Sequence, residues 1–513
     1  VRPAFLVPIP GCAPVDSRML LSCHQMRSVE EAAFADGLTA ESLMEEAGAG
    51  MASAIRQFQP QPGICRVHFG KGHNGGDALV AARHLAGHGW AMELHPAFPE
   101  SEWSPLTAQK FRELTPRDGA ARPGLPLVVL DGLLGTGASG ALREPIRSAA
   151  RQINRARREE GARVFALDIP SGLDGDTGAS DEDAVCADVT LTVGFAKTGL
   201  LAEPAVARVG RLCVIPLGAL SQRITRVAGD AVPGDIVGTA RELRMGWPTR
   251  GFDLHKGDCG RVGIVAGSRG MSGAAILAAN ACVHSGAGLV TLLVPAEIEE
   301  RVAGGVTPEV MVRVLGSLDE LDRMRFDVLA VGPGLGRSRD AEILALLRDS
   351  PLPLVVDADA LNALAGDPGI LQSARGARLL TPHPGEMQRL DSEAAATPRR
   401  STLRRFMEKF PHVLLLKGAR TLVGQRGQPI FHNTTGNPGM ASGGMGDVLT
   451  GVCAALAGQG VSLYQSACLG AWVCGGAAEI ALATGRHSEE SLCASAVIEQ
   501  LGPAFCALRQ GGF

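Results

Sequence analysis

Short apolar runs alternate with amphipathic stretches through the first part of the chain. The runs are CRVHFG (65–70), AMELHPAF (91–98), PLVVLDGLLGTG (126–137), ARVFALDIPSG (162–172), DVTLTVGFAK (188–197) and GRLCVIPLG (210–218). Their length and aliphatic, β-branched content predict buried strands. Helical patterns follow several of them, such as DALVAARHLAGHG (77–89), and SVEEAAFADGLTAESLMEEAGAGMASAIRQF (28–58) reads as two helices parted by Gly37. Strands alternating with helices predict a mostly parallel sheet covered on both faces. Ligands of such sheets sit beyond the carboxyl ends of the strands, where the pattern puts Asp131 and Asp168.

The rhythm stops over 222–259, where Pro233, Gly234, Gly246, Pro248 and Gly251 punctuate a stretch without a clear strand series, and a linker is expected there. A second α/β series follows: GRVGIVAGS (260–268), LVTLLVP (289–295), FDVLAVGPGLG (326–336), LPLVVDADALN (352–362), ARLLTPHPGE (377–386) and HVLLLKGARTLV (412–423), then the helical pattern MGDVLTGVCAALAG (445–458). No repeat relates the two series. With 513 residues, more than one ordinary core holds, two different α/β domains are expected.

Composition narrows the partners. Hydrophobic residues at 45% with 20% charged fit a soluble globular chain, and a net charge of −4 argues against nonspecific nucleic-acid binding. Aromatics at 4% make base-stacking platforms unexpected. The 12 cysteines are scattered without a CxxC pair, which reads as reduced thiols in a cytoplasmic protein. No apolar run is expected to reach membrane-spanning length, so no membrane partner is expected. The opening, VRPAFLVPIPGCAPVDSRM, is broken by prolines and makes a poor signal peptide. It reads as a disordered leader, with the folded part starting near Met19.

Two glycine-rich stretches carry candidate chemistry. NPGMASGGMGDVLTG (437–451) sets Gly443, Gly444 and Gly446 beside Asp447, at the start of the predicted helix. Orphan N–H groups and the helix dipole favour a phosphate there, and glycines let it approach the backbone. A carboxylate would repel that phosphate, so a role as general base suits Asp447. The plain alternative is an acid stabilising a helix start, with the glycines serving a turn. GKGHNGGDALVAARHLA (70–86) also follows a strand and opens a helix, without the GxGxxG spacing. It reads as phosphate or pyrophosphate binding, or as an ordinary strand–helix turn. GFAKTG (194–199) lacks the Walker A spacing.

HKGDCGRVGIVAGS, GPGLG, TPHPGE and NPGMASGGMGDVLTG, with DADALN and KGART between them, resemble the ADP-dependent NAD(P)H-hydrate dehydratases over roughly residues 235–510. The resemblance implies a ribokinase-like α/β fold and a substrate, NADHX or NADPHX, with a hydroxyl on C6 of a hydrated nicotinamide ring. It implies ADP as phosphoryl donor and Mg2+. Asp447 would be the base and touch the hydrate, with Ala274, Gly334 and His383 lining the same site. Lys417, Gly418, Ala419, Arg420, Thr421 and Gly446 would contact the spent nucleotide, with Gly443 and Gly444 in the same cradle. For His383 the plain alternative is a loop histidine beside two prolines; for Ala274 and Gly334 it is close packing.

The HNGGDA stretch, with LMEEAGAGMA, DGLLGTG and DIPSGLDGDTG, is similar to the NAD(P)H-hydrate epimerase domain over roughly residues 19–222. This resemblance implies a Rossmann-like three-layer α/β/α fold that inverts C6 of the hydrate. His73, Asn74, Gly75, Gly76, Asp77, Gly135, Thr136, Gly137, Ala138, Ser139, Gly140, Ala141 and Asp168 would hold the substrate, with Asp168 as acid/base. Asn74, Asp131 and Ser171 would bind K+. The plain alternative for Asp131 and Asp168 is capping of the turns that follow. Two positions depart from the family pattern NNGGDG: His73 replaces an amide and Ala78 a glycine.

The rival readings are a ribokinase-like vitamin or sugar kinase using ATP, and a first domain that binds without catalysing. A homo-oligomer is expected from the resemblance.

Overall fold

The computed structural model describes residues 19–114, 124–138, 140–221, 234–247 and 249–511. The expected leader, Ser139, residues 222–233 of the expected linker, and Pro248 lie outside the described residues. The chain divides into two compact units, which part at Gly234.

The first unit carries a six-stranded, all-parallel sheet. From edge to edge its strands are Ala91–Pro96, Ile64–Phe69, Leu127–Gly132, Arg163–Leu167, Val189–Val193 and Arg211–Ile215. Alternate side chains go to opposite faces. Val128, Leu130, Phe165 and Leu167 join one core with Met51, Ile55, Leu79 and Leu85. Val129, Val164 and Ala166 join the other with Ile146 and Ile153. Helices Ala40–Phe58 and His73–Gly87 thus cover one face and Ile146–Glu159 the other, giving the expected three layers. The order of strands reverses between Ile64–Phe69 and Leu127–Gly132, which opens the crevice where such sheets take ligands. The first helix starts earlier than the pattern suggested, at Cys23, where Ser22 and Gln25 close a capping box.

The second unit has ten strands, in the order Val310–Val314, Leu289–Val294, Arg261–Val265, Val328–Val331, Leu354–Val356, Arg378–Leu380, Val413–Leu416, Leu422–Gly424, Ile430–His432 and Asp235–Val237. The first seven run parallel. Leu422–Gly424 is antiparallel to both neighbours, because HVLLLKGARTLV folds back on itself around 417–421.

Two expectations are corrected. Residues 222–259 are not linker throughout: Asp235–Val237 pairs in parallel with Ile430–His432 and forms the sheet's last strand. Three residues between turn formers are too few for periodicity to reveal. They are held by Asp235, whose two oxygens each accept a 2.6 Å hydrogen bond from Arg400 and one of which lies 2.9 Å from His432 Nε2. Secondly, helix Leu463–Ala483 does reach membrane-spanning length and apolarity, with mean hydropathy 1.4 over its most apolar window. Its alanines, glycines and cysteines disguise the run. That window is 78% buried inside the unit, so the helix serves as a core element.

Arg378 is wholly buried in a central strand of this sheet. Its guanidinium donates to the carbonyls of Leu347 (2.9 Å), Ser350 (2.7 Å), Leu352 (2.9 Å) and Ala377 (3.1 Å), closing the C-terminus of helix Asp340–Asp349. Burial brings its pKa down to about 10, so it stays charged at neutral pH. Arg378→Met keeps the bulk but strands these acceptors. It is expected to cost the second unit about 3 kcal/mol, read as a lower urea midpoint for that unit with the first unit's transition unmoved.

Candidate active sites

In the second unit the candidate residues gather beyond the carboxyl ends of the parallel strands. Helix Met445–Gly458 begins there. Its N-cap, Gly444, sits at φ 87°, a left-handed conformation that glycine adopts without strain. This turn puts Asp447 in the first helical turn, half-buried. Burial and the neighbouring Asp357 push its carboxyl up to about 6, against the pull of Lys417. Gly443 faces open space, whereas a side chain on Gly446 would sit 3.2 Å from Lys417 Nζ.

Lys417 ends the strand Val413–Leu416, and its ammonium lies 2.8 Å from Asp357 Oδ1 and 3.8 Å from Glu386 Oε2. Burial opposes its charge, but Asp357 and Glu386 outweigh burial and hold its pKa up. Thr450 donates to the other oxygen of Asp357 at 2.8 Å. Asp357, Glu386 and Thr450 were given no role by sequence reasoning. A signal was present in DADALN and TPHPGE, which place acids just after strands, but such acids usually cap turns.

His383 caps helix Pro384–Leu390. Its Nδ1 accepts from the amides of Gly385 (3.0 Å) and Glu386 (3.3 Å), so the ring proton sits on Nε2, 3.5 Å from Glu386 Oε1. The ring is half exposed and remains open to a ligand. Gly334 and Ala274 are brought together: a side chain on Gly334 would lie 3.1 Å from Ala274 Cβ. The two pack closely, and Gly334 also takes φ 62°. The Lys417–Thr421 turn is the most exposed part of the site, with Gly418 and Ala419 at the surface.

In the first unit the candidates surround the crevice between Ile64–Phe69 and Leu127–Gly132. Asp131, fully buried, accepts from the Ser171 hydroxyl (2.7 Å) and the Ser171 amide (2.8 Å). Burial raises its carboxyl to about 6, against the lowering effect of these bonds. The Ser171 hydroxyl in turn accepts from the Leu134 amide at 3.0 Å, and Asn74 Nδ2 donates to the Leu134 carbonyl at 2.7 Å. The three expected K+ ligands are therefore joined through one loop. Asn74 Oδ1 is buried with no hydrogen-bond partner among the described residues. A buried carbonyl oxygen without a donor, near a buried carboxylate and a hydroxyl, is a donor set that suits a hard cation.

Asp168 follows the strand Arg163–Leu167 at φ 66°, unusual for a residue with a side chain. Its Oδ1 is taken up by the Lys197 ammonium, the Val193 amide (3.2 Å) and the Thr192 hydroxyl (3.4 Å). Its Oδ2 faces the Gly135 loop. Lys197 is 1% exposed and also donates to Thr192 Oγ1 (3.1 Å) and the Val193 carbonyl (3.0 Å). Sequence reasoning missed it, because GFAKTG was weighed only as a phosphate loop. Asp77 is raised well above the usual carboxylate range by burial, Asp168 and Glu30, and Glu30 is raised chiefly by burial. Lys197 thus contacts Asp168 and lowers, from farther off, the carboxyls of Asp77 and Glu30 against these effects.

The remaining first-unit candidates differ in what they can touch. His73 is exposed at the first position of helix His73–Gly87. Thr136 and Ala138 are half-buried and Gly137, Gly140 and Ala141 exposed, in a loop with open space before it. Gly75 and Gly76 are instead packed: a side chain on Gly75 would overlap the Gly70 carbonyl, and one on Gly76 would meet Met44 Cε at 2.5 Å. Ala78 is wholly buried against Gly132, so its methyl packs inside the unit.

A family model described as NAD(P)H-hydrate dehydratase matches residues 262–499, and one described as YjeF-related protein N-terminus matches residues 40–199. The bifunctional NAD(P)H-hydrate repair enzyme of Moorella thermoacetica is 39% identical over 473 residues, covering 85% of this chain and 87% of its own. The enzyme of the same description from Escherichia coli is 35% identical, covering 88% of each chain. A solved ADP/ATP-dependent NAD(P)H-hydrate dehydratase from Bacillus subtilis, co-crystallised with ATP/Mg2+, is 26% identical, with a TM-score of 0.47 over 53% of this chain and 97% of that one. The chain belongs to the bifunctional NAD(P)H-hydrate repair enzymes, which join an epimerase and a dehydratase.

Proposed function

We propose that residues 235–510 dehydrate S-NAD(P)HX with Asp447 as general base, and that residues 19–222 interconvert the R and S epimers with Asp168 as acid/base. The observation that carries the reading is the position of Asp447: a carboxyl raised to about 6, in the first turn of a glycine-opened helix, beside Lys417. Hydroxide is a poor leaving group. Asp447 takes the proton of the C6 hydroxyl as its oxygen attacks the terminal phosphorus of ADP. AMP leaves, the ring nitrogen's lone pair expels phosphate from C6, and the resulting iminium loses a C5 proton to the departing phosphate, forming the C5=C6 double bond. NAD(P)H, AMP and phosphate result. The Lys417–Thr421 turn with Gly443, Gly444 and Gly446 holds the nucleotide, and Ala274, Gly334 and His383 border the hydrate. Mg2+ would be held chiefly by the nucleotide's phosphates, where it would supply positive charge.

In the epimerase half, Asn74, Asp131 and Ser171 would hold K+, which supplies positive charge beside the ligand's oxygens. The ring nitrogen expels water from C6 and water returns to the other face, with Asp168 Oδ2 moving the proton. Lys197 holds Asp168 in orientation through its contact with Oδ1. His73, Asp77, Gly135–Ala138, Gly140 and Ala141 edge the pocket, while Gly75 and Gly76 shape it through packing. The scattered thiols suit a cytoplasmic setting.

The test is to incubate the full chain with both NADHX epimers and follow NADH absorbance with ADP, with ATP and with neither. Complete conversion with ADP, faster than spontaneous epimerisation, supports both activities. Formation of NADH that ignores nucleotide would sink the reading and bring the small-molecule kinase forward. The pH profile is a second check. Asp447 works as the ionised base, so dehydratase kcat/KM is expected to fall below about pH 6, approaching tenfold per unit. A rate flat from pH 7 to pH 5 would remove Asp447 from that role.

A further inference from the structure

We infer that Arg399 is a positioning residue for the nucleotide, bracing the 417–421 turn from behind so that its amides face the phosphates. This rests on the nucleotide reading of that turn. Arg399 is the first residue of helix Arg399–Lys409. Its guanidinium donates to four carbonyls of the strand end and the turn: Leu416 (2.8 Å), Lys417 (3.1 Å), Ala419 (2.9 Å) and Arg420 (3.3 Å). Of the two turn carbonyls it leaves, that of Gly418 accepts from the Thr421 hydroxyl at 3.1 Å and that of Thr421 from the Asn433 amide at 2.8 Å.

Every carbonyl of the turn is thereby spoken for by a group of the protein. In a trans peptide the N–H points away from the C=O. Drawing the carbonyls of Lys417 and Gly418 to the protein side therefore turns the amides of Gly418 and Ala419 away from those donors. Neither amide has an acceptor among the described residues. Two successive amides without a protein acceptor are donors available to anionic oxygens. The guanidinium adds a fixed positive charge behind them.

Two further features fit this role better than a surface role. A cation at a helix N-terminus works against the helix dipole, and this helix has no acid in its first turn. The contacts with the turn account for an arginine there. Gly418 lies at φ 146°, and a side chain on it would come within 3.1 Å of the Arg399 guanidinium. Arg420 takes φ 59°. The guanidinium and the unusual backbone of the turn are thus fitted to each other.

The test compares wild-type full chain with Arg399→Met and Arg399→Lys. AMP binding is read by calorimetry, and ADP KM and kcat by NADH formation. Arg399→Met is expected to weaken AMP and raise ADP KM about tenfold or more. The KM for the hydrate and the epimerase rate should stay near wild type. Arg399→Lys should recover little, because one ammonium cannot span four carbonyls. AMP affinity within twofold of wild type in Arg399→Met, or full recovery in Arg399→Lys, would overturn the bracing account. Should Arg399→Met fail to fold, Gly418→Ala displaces the guanidinium instead. The same selective rise in ADP KM is then expected, and an unchanged KM overturns the account. Wild type that binds neither AMP nor ADP sinks the nucleotide reading itself, and this inference with it.

Discussion

Asp447→Asn is expected to lower dehydratase kcat about a thousandfold while leaving the epimerase rate as it is. Asparagine is nearly isosteric, so the helix start and the glycine turn keep their shape. What disappears is the capacity to accept the C6 hydroxyl proton as the phosphoryl group arrives. ADP should bind at least as well as before, because a negative charge near its phosphates has gone. The mutant also removes the only candidate base whose carboxyl sits at the start of that helix. Asp357 is locked to Lys417 and Thr450 and cannot replace it. Single-turnover NADH formation separates the outcomes. A kcat within a few fold of wild type would move the base elsewhere.

Asp168→Asn carries the second large effect, on the other half. With an equal mixture of epimers and excess ADP, NADH formation should stop near the S share and creep on only by spontaneous epimerisation. The direct R-to-S rate should fall about a hundredfold or more. The change also leaves Lys197 buried without its counter-charge. A cost of about 3 kcal/mol to the first unit is expected from that loss alone. The variant's folding therefore has to be read beside its rate, and the dehydratase on the same chain serves as the internal control. A variant that epimerises at the wild-type rate would leave Asp168 as an anchor for Lys197 only.

The α/β class and the three layers of the first unit were legible because aliphatic strands and amphipathic helices leave long, regular marks. The start of helix Met445–Gly458 at the Asp447 loop was legible because glycines beside an acid break the pattern just before an apolar run. What escaped were groups that act through distant partners. Asp357 meets Lys417 from 60 residues away, and Lys197 meets Asp168 from 29. A lone acid or lysine at a strand end looks ordinary until folding supplies its partner. Arg399 escaped for the same reason, as one of two arginines at a helix start. The Asp235–Val237 strand escaped because three residues carry no period. Gly75 and Gly76 have a second use that the sequence did not show, since the glycine run also lets helix and strand pack.

That short strand also sets where the protein can be divided. The region matched as a dehydratase begins at residue 262, yet Asp235–Val237 covers the far edge of its sheet. Cutting between the two would bare the backbone of Ile430–His432, a hydrophobic edge with unpaired amides and carbonyls. Such edges recruit strands from other chains and seed aggregation. Residues 235–237 act as a guard strand, and a soluble second half has to begin ahead of them.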